Sequence, residues 1–189
     1  MIKFHKTRNA LMRDYAPACV GAEVGVLRGD FSAELLGMGA LELHLIDPFL
    51  TAPPDDVYAK DPANLDQGGM DHLFGSVLRR FHAEAEAGRV FIHRLPSLQA
   101  APLFGEASLD FVFLDGRHDA ESVYDDCVAW SKAINETGVL CSHDFTWQPA
   151  AIEMGFGVPE GIEQFCIDHK WKPVAMSLDL WPTICLSRK

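Results

Sequence analysis

Residues 109–115 read LDFVFLD, an almost unbroken apolar run bounded by turn-forming and charged residues and too short for a buried helix. A strand that is apolar on both faces must be covered on both faces, which a parallel sheet between two helix layers achieves. The rest of the chain supplies those layers. Residues 22–27 form a short apolar run entering a glycine-containing turn, and residues 30–38 carry Phe31, Leu35 and Met38 at helical spacing. Residues 41–47, LELHLID, alternate leucines with polar residues until Pro48 ends the strand. A helix is predicted over 71–87, a short strand over 89–93, and a helix over 119–134 closed by Gly138. A buried strand over 139–143 and a helix over 159–169 follow, and then 172–177 and 181–186 face each other as a hairpin. Such alternation predicts a Rossmann-like, doubly wound α/β sheet with right-handed crossovers, in which ligands bind beyond the carboxyl ends of the strands.

One domain is expected over all 189 residues, with a short N-terminal helix within residues 1–20, around Thr7 to Tyr15, that offers a surface to a second copy in a homo-oligomer. Residues 49–69, rich in Pro, Asp and Gly, are too long for a simple connection and are expected to be a lid over the acceptor. Sixteen Lys+Arg against twenty-seven Asp+Glu give a net charge of -11, which repels phosphate backbones and anionic lipids, so neither nucleic acid nor membrane is the expected partner. No apolar run reaches the roughly 20 residues of a bilayer span, and no signal-type stretch follows the basic N-terminus, so a cytoplasmic protein is expected. The five cysteines are widely spaced, contain no CxxC pair, and read as reduced core thiols.

The strand ends carry the chemistry. After the first strand stands EVGVLRGDFS, in which Gly25 and Gly29 bracket a sharp turn and Glu23 precedes it. The two glycines are four positions apart, with no third in register, so the GxGxxG pyrophosphate cradle is poorly matched. A carboxylate at Glu23 repels a diphosphate and attracts an ammonium or sulfonium cation, which points to S-adenosylmethionine. Asp47, ending the second strand, is placed to accept hydrogen bonds from ribose hydroxyls. The plainer reading of Gly25 and Gly29 is a tight turn without ligand, and of Asp47 a cap before Pro48.

The pattern E-x-G-x-x-x-G-x-x-S, the strand-terminal Asp47, and the blocks LDFVFLDGRHDAESVYDDCVAW and GVLCSHDF together resemble class I S-adenosylmethionine-dependent methyltransferases, nearest to small-molecule O-methyltransferases of the macrocin type. The resemblance implies a seven-stranded sheet with an antiparallel last strand. It places Glu23 and Gly25 near the cofactor's methionine part, Gly29 and Ser32 at the turn, Asp47 on the ribose and Ser97 near the adenine, with Asp115 also in the cofactor set. In metal-dependent relatives an acid after the fourth strand and polar residues after the fifth hold a divalent ion. Asp115 and Asp144 fit that pattern and favour magnesium, while His143 departs from it and suits a softer metal or a plain hydrogen bond. His118 corresponds to a general base for an acceptor hydroxyl, against the alternative of a helix-capping histidine. Asp125 and Asp126 read as a solvated helix face, and Phe145, Trp147 and Phe156 as walls of an acceptor pocket or plain core.

The expected activity is therefore methyl transfer to a hydroxyl of a small molecule, a sugar or other natural-product intermediate. A nicotinamide-dependent oxidoreductase shares the glycine turn and strand-terminal acid, and a non-catalytic S-adenosylmethionine-binding protein shares the pocket.

Overall fold

Where the chain can bury an apolar strand on both sides, it does. The computed structural model describes residues 1–188, apart from the side chain of Lys60. Along the chain run β1 (Lys3–His5), α1 (Arg8–Met12), β2 (Val20–Val24), α2 (Asp30–Gly37), β3 (Glu42–Ile46), α3 (Gln67–Arg80), α4 (His82–Glu86), β4 (Val90–His93) and α5 (Ser97–Ala100). Then come β5 (Leu109–Leu114), α6 (Ala120–Ser131), β6 (Ile134–Ser142), α7 (Pro149–Glu153), α8 (Val158–His169), β7 (Lys172–Ser177) and β8 (Ile184–Ser187). The strands form one sheet in the order β1-β7-β8-β6-β5-β2-β3-β4, parallel except for β8, which runs antiparallel to both β6 and β7.

β5 is central, and its side chains divide between two cores. Leu109, Val112 and Leu114 pack with α6 and α8 through Val123, Trp130, Ile162 and Phe165, whereas Phe111 and Phe113 pack with α1, α2 and α3. Each fully buried phenylalanine or leucine contributes about 1.5–3 kcal/mol, so this single strand anchors both layers. The register then sets the site. Ile46, Val24, Leu114 and Ser142 lie side by side across β3, β2, β5 and β6. The next residue on each strand is Asp47, Gly25, Asp115 or His143, and these four form one rim. β2 stands where the chain order reverses, the position at which such sheets open a ligand crevice.

Several expectations are corrected. The sheet has eight strands, because β1 adds to the outer edge of β7. The short N-terminal helix exists, but Leu11 and Met12 are fully buried in its own chain's core, so its apolar face is already covered. The helix expected over 71–87 begins earlier, at Gln67, because the Asp66 carboxylate caps the Gly69 N–H at 2.7 Å, and it breaks at Phe81 into α3 and α4. Gly138 does not close a helix. It lies inside β6, where a β-carbon would stand 2.5 Å from the Asp110 carbonyl oxygen, so only glycine lets the two strands pass. The second hairpin strand starts at Ile184 and not at Trp181. Finally, Cys141 and Cys185 are not reduced thiols. They face each other in the β6–β8 register with α-carbons 4.1 Å apart and form a disulfide, while Cys19, Cys127 and Cys166 remain free.

Candidate functional site

The turn after β2 is held in a demanding conformation by named partners. Gly25 has φ +90°, and a β-carbon there would lie 2.0 Å from the Asp115 carbonyl oxygen, so the close approach of the β5 end dictates the glycine. Leu27 follows with φ +50°, and Gly29, at φ +72°, opens α2. Asp47 stabilises this path: one oxygen accepts the N–H groups of Val26 and Leu27 at 3.0 Å each, and the other accepts that of Phe49 at 2.8 Å. Three of its roughly four acceptor positions are thus spent on backbone, and the carboxylate still lines the cavity.

Glu23 lies beneath this turn, 1% exposed, with its carboxyl accepting the Ser32 hydroxyl. Burial pushes its pKa up to about 8, overriding the Ser32 bond. At pH 7 the group is therefore mostly protonated. The fixed negative charge inferred for it from sequence appears only when a cation or higher pH ionises it. Ser32, fully buried, serves Glu23.

A second polar group closes the far end. The Ser97 hydroxyl donates to Asp126 at 2.5 Å and accepts the Trp130 indole N–H at 2.8 Å. Asp126 is buried, which pushes its pKa up to about 6, so the solvated-face reading holds for Asp125 alone. The signal was present: Asp126 falls three residues after Val123 and four before Trp130, on the apolar stripe of α6.

At the ends of β5 and β6, Asp115, His118 and Asp144 bring one ligand-type atom each within 4.8 Å of one another. His118 Nε2 lies 3.1 Å from Asp144 Oδ2 and 3.7 Å from Asp115 Oδ1. His143 Nδ1 approaches from the other side, 2.7 Å from Asp144 Oδ1 and 3.5 Å from Asp115 Oδ1. Both ring nitrogens of His118 and Nδ1 of His143 are buried without a well-formed hydrogen bond among the described residues. Burial lowers the His118 pKa, but the flanking Asp115 and Asp144 outweigh it and hold the imidazole up to about 9. The same imidazoles hold Asp144 well below the usual carboxylate range despite its burial. Asp144 also adopts φ +57°, a strained backbone of the kind that clusters at functional sites. Two carboxylates and unsatisfied imidazole nitrogens are a donor set that fits a divalent cation.

Two cavities meet here. The larger, about 750 Å³, runs from Arg8 and Glu23 past the glycine turn and Asp47 to Ser97 and Asp126. The smaller, about 440 Å³, is walled by Asp61, His143, Asp144, Phe156 and Trp181. Asp115 and His118 line both. Phe156 stacks on His118 at 4.3 Å. Phe145 instead belongs to the core, and Trp147 is exposed and borders neither cavity.

Residues 49–69 contribute to the walls of both cavities. Asp56 and Tyr58 line the larger cavity, Asp61 and Leu65 the smaller, and Ala63 both. The segment contains a 3₁₀ turn over Val57–Lys60 and is fastened by a two-pronged ion pair from Arg117 to Asp56 at 2.8 and 3.0 Å. Sequence reasoning gave no role to Arg8, Asp56, Asp61 or Arg117, each of which meets a site residue distant along the chain: Arg8 meets Asp115, Asp56 meets Arg117, and Asp61 meets His118.

Residues 22–145 match a family model described as a methyltransferase domain. No curated protein matches the chain. Among solved structures, a Corynebacterium glutamicum protein superposes with a TM-score of 0.63 at 13% identity, covering 96% of this chain and 80% of its own. A Staphylococcus aureus protein assigned as a caffeoyl-CoA O-methyltransferase gives 0.65 at 11% identity, covering 95% and 80%. The Burkholderia thailandensis 1,6-didemethyltoxoflavin-N1-methyltransferase, solved with 1,6-didemethyltoxoflavin and S-adenosylhomocysteine, gives 0.60 at 16% identity, covering 96% and 76%. These likenesses establish the fold. No helix among the described residues is long and apolar enough to cross a membrane.

Proposed function

The chain belongs to the methyltransferase-domain family and is a class I S-adenosylmethionine-dependent methyltransferase, and on that premise we propose that it methylates a hydroxyl of a small molecule, with a divalent cation at Asp115, His143 and Asp144. This membership sets aside the nicotinamide oxidoreductase and the non-catalytic binder. The observation that carries the proposal is the shared wall: one carboxylate and one imidazole stand between a cavity of cofactor size and a smaller one suited to an acceptor.

S-adenosylmethionine supplies an electrophilic methyl group when bound. In this reading the Gly25–Gly29 turn and Glu23 receive its methionine part, the remaining acceptor position of Asp47 takes a ribose hydroxyl, and the Ser97–Asp126 end takes the adenine. A divalent cation would lower the pKa of an acceptor hydroxyl and fix its direction. Asp115, His143 and Asp144 would hold it, leaving the His118 imidazole beside them free to face the acceptor hydroxyl.

Alignment of the two reactants contributes about 7–11 kcal/mol to such a transfer, against 10²- to 10⁴-fold for a base. The residues that position therefore dominate: the glycine turn on one side, Phe156 and Trp181 on the other, and residues 49–69 bordering both. An imidazolium between two carboxylates is no base at pH 7. His118 becomes one only when another cation takes over Asp115 and Asp144. The acceptor is a small molecule and not nucleic acid, in keeping with the net charge of -11. O-methylation of a sugar or other natural-product intermediate, as in the macrocin-type subgroup, is the form proposed. The setting proposed is the cytoplasm, where the full burial of Cys141 and Cys185 shields their bridge from thiol exchange.

Incubation with methyl-labelled S-adenosylmethionine and a panel of hydroxylated sugars and phenols, with and without a chelator, tests this. Label on an acceptor oxygen, lost with the chelator and restored by magnesium or manganese, is the expected result. Transfer only to nitrogen, or transfer indifferent to the chelator, would contradict the oxygen or the metal part respectively.

A further inference from the structure

Arg8 reaches the large cavity from outside the matched domain. Its backbone N–H donates to Asp179 at 2.8 Å, Thr7 caps α1, and Leu11 and Met12 are buried, so the residue is fixed at its root. Its guanidinium lies over the Phe31 ring, 4.3 Å from the centroid, and meets Asp115 Oδ2 at 3.5 Å, the far limit of a hydrogen bond. That is its one side-chain hydrogen bond among the described residues, so most of its five N–H donors are unspent. Arg117, also on the cavity wall, is committed to Asp56, Asp119 and Ser122.

The carboxylate of Asp115 is divided in the same way. Oδ1 faces His118 and His143 on the acceptor side, while Oδ2 faces Arg8 on the cofactor side. The cavity wall thus presents a cation and an anion loosely paired at 3.5 Å, next to Glu23. A ligand group that carries both charges on one carbon can replace that long pair with two short, charge-assisted hydrogen bonds, and neither half-buried charge loses a partner. A ligand carboxylate alone would be repelled by Asp115 and Asp47.

We propose that Arg8 binds the α-carboxylate, and Asp115 Oδ2 the α-ammonium, of the cofactor's amino-acid end. The N-terminal segment thereby completes a zwitterion site that selects the intact methionine moiety. This rests on the reading of the large cavity as the S-adenosylmethionine site.

The test is calorimetric titration of the full chain with S-adenosylhomocysteine and with 5′-methylthioadenosine, which keeps the adenosine and thioether but lacks the amino-acid group. Arg8→Ala should weaken S-adenosylhomocysteine about 10- to 100-fold, the range of a charge-assisted hydrogen bond. The affinity for 5′-methylthioadenosine should stay within about twofold of wild type, and Arg8→Lys should recover part of the loss. Arg8→Met, which keeps an apolar stem on Phe31, should behave as Arg8→Ala and so separates the charge from the packing. Equal losses for both ligands, no loss for either, or a selective loss instead in Arg28→Ala, at another arginine that lines the large cavity, would overturn the assignment. A wild-type chain that binds neither ligand removes the cofactor reading itself, an outcome distinct from wild-type binding that Arg8→Ala leaves untouched.

Discussion

Glu23→Gln replaces a fully buried carboxyl by a neutral group of the same shape. The wild-type pKa rises from 4.5 to about 8 through burial, so the folded state keeps its proton over a range where the unfolded chain has released it. The sign follows: the stability that Glu23 contributes is complete below pH 4.5 and is lost as pH rises through about 8. At about 1.36 kcal/mol for each pH unit between the two values, the loss amounts to about 3 kcal/mol by pH 7 and about 5 kcal/mol beyond pH 9. Glutamine does not titrate. Urea unfolding at pH 4, 7 and 9 should therefore find the variant and wild type equally stable at pH 4, with the variant ahead by about 3 kcal/mol at pH 7 and further ahead at pH 9. The same substitution should weaken S-adenosylmethionine binding, because a buried acid that is costly without ligand becomes a partner for a ligand's positive charge. Stability curves that run parallel from pH 4 to 9 would refute the claim that Glu23 is buried and protonated.

Three further outcomes are expected. His118→Ala should lower turnover by about 10²- to 10⁴-fold while S-adenosylhomocysteine affinity stays within about twofold; unchanged turnover removes His118 from the mechanism. Gly25→Ala should cost at least about 3 kcal/mol in urea unfolding, because the residue has φ +90° and the Asp115 backbone leaves its methyl no room; a loss below about 1 kcal/mol would show that the turn is not under this constraint. Arg117→Ala should raise the acceptor KM about 3- to 10-fold by releasing Asp56 and residues 49–69, with a smaller loss of cofactor affinity because Asp56 also lines the larger cavity; a change in cofactor affinity alone would refute the lid role.

What was legible in the chain was what repeats or what ends a strand. The LDFVFLD run announced a central strand, and the glycine turn, Asp47, Asp115 and Asp144 follow strand ends whose register brings them to one rim. Contacts that depend on the closed sheet were not. Arg8 meets Asp115 across 107 positions, and Cys141 meets Cys185 only because β8 inserts antiparallel beside β6. β1 is three residues of mixed polarity with no period to detect. Asp126 was misjudged because a charged pair suggests solvent, although its helical phase puts it on the buried stripe. Glu23 lines the crevice near the end of β2, as its place in the sequence suggests, but its protonation follows from burial, which spacing does not reveal.

The central claim is that the crevice beyond β2, β3 and β5 binds S-adenosylmethionine. Hydrogen exchange with and without S-adenosylhomocysteine locates binding on the backbone. Added protection should concentrate in residues 24–30, 47–50 and 97–99 and at Asp115 to His118. Protection confined to other segments, or none at saturating ligand, would contradict the account.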